Sequence, residues 1–580
     1  MYWSIKQPTP ALQSPRLWPR ARYALWMVLA VLMAACAKND PEPAPELKAS
    51  TQELATGSEG GPLFFHVAAN RDWQASSTES WCTLATVAGE PGTTKVEVTV
   101  APHSGTDPRG ATITVVAGPL TAEVVVVQEG ATQLQVGQAT YEVNAEGGEI
   151  TVEVAASGAY EVSVSDAWLA QMPEQGTSGT ETFHIDANRS LFAREATILF
   201  TLDGVSREIA VAQQGQPVAV AADNSGMTHD ALALVQQMGV GWNLGNTLEA
   251  ASSPTAANET LWGNPKATQE LIDAVKAAGF NAVRIPCAWS GYMEDQTDYR
   301  VKDSWLARVK EVVDYCVAND MYVILNTHWD GGWLEEHPLY SHQAAVTAKF
   351  TVLWQQIAVY FRDYDEHLLF AGTNEVHADY GTPTAEHLAV QNSYNQTFVD
   401  AVRATGGRNA WRNLVVQSYN TNIDHAVNHL TMPSDAVANR LAVEVHYYDP
   451  YDFTIDGTSD IYLWGNAYAG RPNVSTWGQE DWADEAFGKM KTHFVDRGIP
   501  VILGEYAPTL RSDLTTGLAD HLASRHHYLR YVTAAALENG MVPFYWDNGH
   551  TGNLGSGLFD RAAATPVHTE AIAAIISAVP

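Results

Sequence analysis

Cysteine is scarce, with four in 580 residues. One ends an N-terminal apolar run, and Cys82, Cys287 and Cys316 are scattered, which excludes a disulfide framework and a Cys-x-x-Cys metal site. Their apolar neighbours, such as Trp81, Ile285 and Tyr315, read as core, so all three are expected as buried thiols. Basic residues are few as well: 33 Lys and Arg stand against 66 Asp and Glu, a formal charge of −33. A surface of that sign repels phosphate backbones and argues against a nucleic-acid partner. No Gly-x-Ser-x-Gly occurs, which removes the nucleophile-elbow esterases. No His, Cys, Asp or Glu cluster has ligand spacing, so neither a metal nor a cofactor is expected. What remains is apolar and aromatic: hydrophobic residues make up 46%, charged residues 17%, with 18 Trp and 23 Tyr. Such a chain buries real cores, and its aromatics suit a neutral, ring-shaped ligand.

The first 36 residues carry Lys6, Arg16, Arg20 and Arg22 and no acid. Tyr23 to Ala35 is apolar but shorter than the ~20 residues that span a bilayer, so it reads as an export signal. Leu32-Met33-Ala34-Ala35-Cys36 resembles a bacterial lipobox. That resemblance implies a lipoprotein signal over 1–36, lipidation of Cys36 and a membrane as partner. Residues 37–47, rich in Pro and Glu, read as a tether.

Residues 48–216 alternate short Val, Thr and Ile runs with glycine-rich turns, the pattern of all-β structure. They also repeat. Gly60, Trp73 and Trp81 recur 87 residues later as Gly147, Tyr160 and Trp168, and Arg109 and Gln128 recur 85 residues later as Arg194 and Gln213. Two small immunoglobulin-like sandwiches, 48–131 and 132–216, are expected. The Trp-Cys-Thr and terminal Gln-x-Gly pattern resembles the BACON domain of polysaccharide-degrading lipoproteins. Glycan binding and a plain spacer are both open to such repeats; strand-like alternation places the Trp residues in cores and favours the spacer.

From 217 to 580 strands alternate with amphipathic helices, the mark of βαβ units. Eight apolar strand candidates stand out: Val240–Asn243, Ala282–Ile285, Tyr322–Asn326, Leu368–Gly372, Leu414–Gln417, Leu441–Val445, Pro500–Gly504 and Val542–Trp546. Helix-length stretches between them include Thr268–Ala278, Ser304–Asn319, Ala345–Phe361, Asp481–Arg497 and His521–Glu538. This count matches a (β/α)8 TIM barrel. A doubly wound sheet would want a third glycine after Gly239-Val-Gly241.

Barrel chemistry lies just past the strands' C-terminal ends. The residues there include Asn243, Asn246, Arg284, His328, Asn374, Glu375, Gln417, His446, Tyr448, Glu505 and Trp546. Glu375 and Glu505 follow fully apolar strands on opposite sides of the ring. Two facing carboxylates serve glycoside hydrolysis; the bland alternative is an ion pair such as Glu505 with Arg284.

Gly241-Trp-Asn-Leu-Gly-Asn-Thr247, Val283-Arg-Ile-Pro286, Val323-Ile-Leu-Asn-Thr-His328, Thr373-Asn-Glu375, Val445-His-Tyr-Tyr448, Ile502-Leu-Gly-Glu505 and Tyr545-Trp-Asp-Asn548 resemble glycoside hydrolase family 5, most of all its subfamily 4 of endo-β-1,4-glucanases and xyloglucanases. The resemblance spans about 225–575. It implies Glu375 as acid/base, Glu505 as nucleophile, and a substrate site drawn from Asn246, Arg284, His328, Trp329, Trp333, Asn374, His446, Tyr448 and Trp546. Two positions depart from the family pattern. Val376 stands where Pro is common, and Trp329 where a second His is common; both bear on substrate preference rather than on the reacting groups. The expected activity is a retaining endo-β-1,4-glucanase on plant β-glucan, xyloglucan first, with cellulose, mixed-linkage glucan, xylan or mannan as alternatives. A non-catalytic glycan-binding protein is the reading from another class. No protein partner is evident. A polymer substrate favours an outer-membrane anchor facing the medium.

Overall fold

A computed structural model describes residues 42–171 and 178–580. The signal at 1–36, with Cys36, lies outside the described residues, as does the linker before residue 42. The chain divides into two compact units, with the division between Thr132 and Gln133.

The first unit is a β-sandwich that follows directly from period-two alternation. In the strand Gly92–Val100, Val96, Val98 and Val100 are buried while Glu97 and Thr99 face out. One sheet orders Leu47–Ala49, Gly61–Ala69, Gly92–Val100 and Cys82–Leu84; the other orders Glu53–Thr56, Leu120–Gln128, Arg109–Ala117, Trp73–Ser77 and Ala88–Gly89. Trp73, Phe65, Ile113 and Val124 fill the space between them.

The repeated polar residues form an internal staple. The buried Gln128 amide donates to the carbonyls of Ser58 at 2.9 Å and Ala101 at 3.0 Å, and its oxygen accepts from Arg109 Nε at 2.9 Å. The Arg109 guanidinium lies 4.2 Å above the Trp81 ring. In the second sandwich Gln213 donates to Asp186 at 2.9 Å and accepts from Arg194 Nε at 2.8 Å, with Arg194 lying 4.3 Å above Trp168. Gly60 and Gly147 hold φ of 69° and 74°, and a Cβ on either would come within 2.3 Å of a carbonyl oxygen, which is why both copies need glycine there.

The second unit holds the second sandwich and the barrel. The sandwich stacks Leu134–Val136, Gly148–Ala156, Gly179–Ile185 and Leu169–Gln171 on Thr140–Val143, Val205–Gln213, Arg194–Leu202 and Glu161–Val164. It is tied to the barrel by Arg189 with Asp363 at 3.1 Å and by Arg300 over the Phe192 ring at 5.0 Å, and Arg362 holds the connecting segment by donating to the Pro217 carbonyl at 2.9 Å.

The barrel closes on eight parallel strands: β1 (Gly241–Leu244), β2 (Ala282–Ile285), β3 (Tyr322–Asn326), β4 (Leu368–Ala371), β5 (Leu414–Gln417), β6 (Leu441–His446), β7 (Val501–Tyr506) and β8 (Met541–Asp547). Closure pairs β1 with β8, Asn243 opposite Trp546. Each strand stands within two residues of its expected span. The helices of two turns or so and longer are α1 (Gln269–Ala277), α2 (Asp303–Ala318), α3 (Tyr340–Tyr360), α4 (Ala385–Arg403), α5 (Ile423–His429), α6 (Glu480–His493), α7 (Leu518–Glu538) and α8 (Thr569–Ile576), with single turns at Ala231–Val235 and Tyr451–Thr454. α3 starts at Tyr340 rather than Ala345 because its first turn is polar and largely exposed, so the apolar period begins late. Ala282, Ile324, Leu369, Ala371, Val415, Ala442, Ile502 and Val542 fill the barrel interior, with Leu234, Val235 and Met238 of the segment before β1. That packed interior leaves the strands' C-terminal ends as the place for polar residues.

Replacing Gln128 with Ala removes its bonds to the Ser58 and Ala101 carbonyls and the acceptor of Arg109 Nε, at a cost of about 2 kcal/mol. Native-state hydrogen exchange should therefore quicken about thirtyfold over Gly92–Val100 and Leu120–Gln128, with barrel amides unchanged. Unchanged protection in the sandwich would refute the staple.

Candidate active site

The mouth is organised around Arg284, which is wholly buried at the end of β2. Its Nη1 donates to Glu505 Oε1 at 2.9 Å and to Asn243 Oδ1 at 3.0 Å, and its Nη2 to Asn374 Oδ1 at 2.7 Å. Its Nε stands 2.8 Å from Glu444 Oε1. One guanidinium thus joins groups carried by β1, β6 and β7 and by the loop after β4. Glu444 is fully buried, and burial works to raise its pKa. The charges of Arg284 and His446 and the Gln417 amide outweigh that and bring it down to about 2. Gly504 makes room for it, since a Cβ there would sit 2.2 Å from Glu444 Oε1.

Glu505 leaves β7 where the β6–β7 register shifts, a bulge that turns its side chain into the mouth. Its Oε2 accepts from Tyr448 at 2.9 Å. Glu375 lies in the loop after β4, and its Oε1 is 2.6 Å from His446 Nδ1. One carboxyl oxygen from each glutamate and a ring nitrogen of His446 all lie within 4.8 Å of one another. His446 is drawn up to about 10; burial opposes this, but the carboxylates of Glu505, Glu375 and Glu444 surround it. Burial also works to raise Glu375, yet its bond to His446 and the charges of His446 and Arg284 hold it below the usual value. Burial raises Glu505, with Glu375 adding to the rise, while His446, Arg284 and the Tyr448 hydroxyl act against it. The three groups titrate as one set. Glu375, His446 and Glu505 are spaced as metal ligands could be, but Arg284 and a protonated His446 repel a cation there. The set is instead built to hold and pass a proton.

The cleft above them encloses about 810 Å³ and is lined by His328, Trp329, Asn374, Glu375, Tyr448, Glu505 and Trp546, joined by Trp262, Glu335 and Tyr451. His328 and Trp546 stack with centroids 5.8 Å apart. Burial, then the nearby Arg284 and His446 charges, keep His328 well below its ordinary pKa and so neutral. Trp262 and Trp329 form a second aromatic wall with centroids 6.3 Å apart. On the far side of Glu375 and His446 a smaller lobe of about 230 Å³ is lined by Asn422, Tyr451, Trp482 and Lys489. Asp449 fixes Trp482 by accepting from its indole at 2.9 Å. Aromatic faces on both sides of paired carboxyls suit a chain of pyranose rings.

Two expected site residues are placed differently. Trp333 is buried in the core, where its indole donates to Asp330 at 2.7 Å and Lys349 lies 4.3 Å over its ring, so it is no sugar platform. Asn246 forms the left-handed turn after β1 (φ 57°), is braced by Glu249 and Asn264, and is absent from the cleft wall. Arg284 bonds Glu505, as its position at the end of β2 led one to expect, and holds Asn374 as well. Glu444, Glu335 and Trp262 join the site without having been singled out. Glu444 had a signal, an acid inside an apolar strand two residues from His446 and therefore on the same face. Trp262 and Glu335 sit in loops with no local mark.

A closed parallel barrel with two carboxyls facing a neutral aromatic cleft defines a glycoside hydrolase. The chain belongs to that class through the cellulase family, glycosyl hydrolase family 5, whose model matches residues 247–552. A viral BACON domain model matches 46–131 and 133–216. A xyloglucan-specific endo-β-1,4-glucanase of Bacteroides ovatus is 40% identical over 454 residues, covering 75% of this chain and 89% of that protein. The solved Bacteroides ovatus family 5 xyloglucanase in complex with a XXXG heptasaccharide matches with TM-score 0.60 and 40% identity, over 77% of this chain and all of that one. A broad-specificity endoglucanase from Bacteroides salanitronis matches with TM-score 0.57 and 38% identity, over 63% of this chain and 99% of that one.

Tyr448→Phe deletes a donor that favours the charged form of Glu505. Carbon-13 NMR titration of the glutamate carboxyls should show Glu505 taking up its proton about one pH unit higher than in the wild type. An unmoved or downward-shifted titration would refute the Tyr448 contribution.

Proposed function

We propose that the chain is a retaining endo-β-1,4-glucanase whose preferred polymer is xyloglucan. The observation that carries the mechanism is the close approach of the Glu375 and Glu505 carboxyls, within 4.8 Å at their facing oxygens. This suits double displacement, where ~5–5.5 Å is typical and no water need fit between the two groups. Glu505 attacks the anomeric carbon and forms a glycosyl ester as Glu375 passes its proton to the departing oxygen. Glu375 then takes a proton from water, which attacks the same carbon and frees Glu505. The proton that Glu375 delivers is shared with His446 across their 2.6 Å contact. Asn374 offers its amide to the sugar 2-hydroxyl, and Trp546 packs on the ring.

Endo action is supported by a cleft that continues on both sides of the pair, past Trp262 and Trp329 in one direction and Trp482 in the other. The xyloglucan preference is supported by the Bacteroides ovatus xyloglucanase, matched in sequence and in solved structure. The broad-specificity relative favours a second reading, in which unbranched and mixed-linkage glucans are cut as readily. For the sandwiches we favour spacing over glycan binding, since the repeated Trp residues are either buried or covered by arginine. Lipidation of Cys36 would then hold the enzyme at the outer membrane, facing its polymer.

Reducing-end release by residues 37–580 on xyloglucan, carboxymethyl cellulose, mixed-linkage glucan, xylan and mannan should be fastest on xyloglucan. Glu505→Ala should lower it about ten-thousandfold on every substrate while the thermal transition is retained. A Glu505→Ala protein with near-wild-type rate would sink the mechanism. Equal rates across the glucans would favour the second reading. Cys36→Ser in the full-length chain should move activity from the membrane fraction to the soluble one, and unchanged fractionation would count against the anchor.

A further inference from the structure

Glu335, in the loop after β3, is a third carboxyl of the mouth that the two-glutamate mechanism leaves unused. Its Oε2 accepts from Asn374 Nδ2 and from the Glu375 backbone N–H, each at 3.2 Å. Its own carbonyl accepts from the His377 backbone at 2.8 Å, which ties the loops after β3 and β4 together. Arg284 can only donate, so the oxygen of the Asn374 amide must face it and the NH2 must face Glu335. An amide pinned in this way has one N–H committed to Glu335 and one left free. We propose that Glu335 is a positioning residue of the reaction, fixing the Asn374 amide and the Glu375 main chain so that the free Asn374 N–H meets the sugar 2-hydroxyl. The inference rests on the two-glutamate reading above.

Geometry also says in which form Glu335 works. It is 5% exposed, and the charged groups it faces from β7 and from the loop after β4, Glu505 and Glu375, are both acids. Tyr380 is the further titratable group turned toward it. A carboxylate there would have only two neutral N–H donors against two neighbouring acids, so the neutral acid is the form the site accommodates. Burial first, and the Glu375 charge next, push its pKa up to about 8. A neutral carboxyl offers one carbonyl oxygen to its two donors, and glutamine reproduces that arrangement without titrating.

The test is kcat and KM between pH 5 and 9.5 for wild type, Glu335→Gln and Glu335→Ala, with Glu505→Ala alongside. Glu335→Gln should stay within about threefold of wild type at pH 6, where both residues are neutral acceptors. The ratio of Glu335→Gln to wild-type kcat/KM should then rise about tenfold by pH 9, as ionised wild-type Glu335 sets a third negative charge beside Glu375 and Glu505. Glu335→Ala should lose at least about tenfold in kcat at pH 6 with KM little changed, because the amide it releases acts in the transition state. A ratio that stays flat with pH would overturn the proposal, and so would a folded Glu335→Ala enzyme with wild-type kcat. The Gln arm does not depend on how the Ala variant folds. A flat ratio beside an inactive Glu505→Ala removes the role of Glu335 alone, whereas an active Glu505→Ala removes the parent mechanism.

Discussion

A guanidinium with no access to solvent, at the end of β2, decides the geometry of everything above the barrel. Arg284 is stable there because Glu444 supplies a fixed counter-charge and Asn243, Asn374 and Glu505 accept from three of its N–H groups. Each acceptor is thereby placed, since a lost contact would leave a buried charge unsatisfied. Removing one partner from a buried charge costs about 3–5 kcal/mol, several times what an exposed pair is worth. The catalytic precision of the mouth is therefore a by-product of an electrostatic necessity in the core. Glycine at 504 belongs to the same bargain, because any side chain there would displace Glu444.

The barrel was legible because strands buried on both faces read as unbroken apolar runs, and a polar residue directly after such a run has only the mouth to occupy. Glu375, His446, Tyr448 and Glu505 come together at the positions that argument assigns. Loops were harder. Nothing local separates Trp333, which turns into the core, from Trp329, which lines the cleft, since both lie in the same stretch after β3. Trp262 and Glu335 depend on long-range folding of loops whose partners are far away in sequence. Glu444 lay within reach of the period-two rule, hidden by the apolar residues on either side.

The sandwiches show the other side of sequence reading. Their repeat was visible as paired positions, and the structure supplies the cause: Gln128 and Gln213 collect carbonyls from strand ends, while Arg109 and Arg194 cover Trp81 and Trp168. What recurs is a folding device. The two copies nonetheless differ in their surroundings. The second shares a compact unit with the barrel through Arg189 and Arg300, and the first forms a unit of its own.

The three cysteines of the described chain are all buried and unpaired. Burial raises each thiol above its ordinary pKa, well above it for Cys287. The thiolate is the species that attacks disulfides and reacts with oxidants, so none of the three is a competent partner in the native state. Among the described residues no thiol is therefore poised to respond to the redox state of the surroundings. The described fold is thus held together by packing and hydrogen bonds, with no covalent cross-link that a reducing or oxidising medium could break or make.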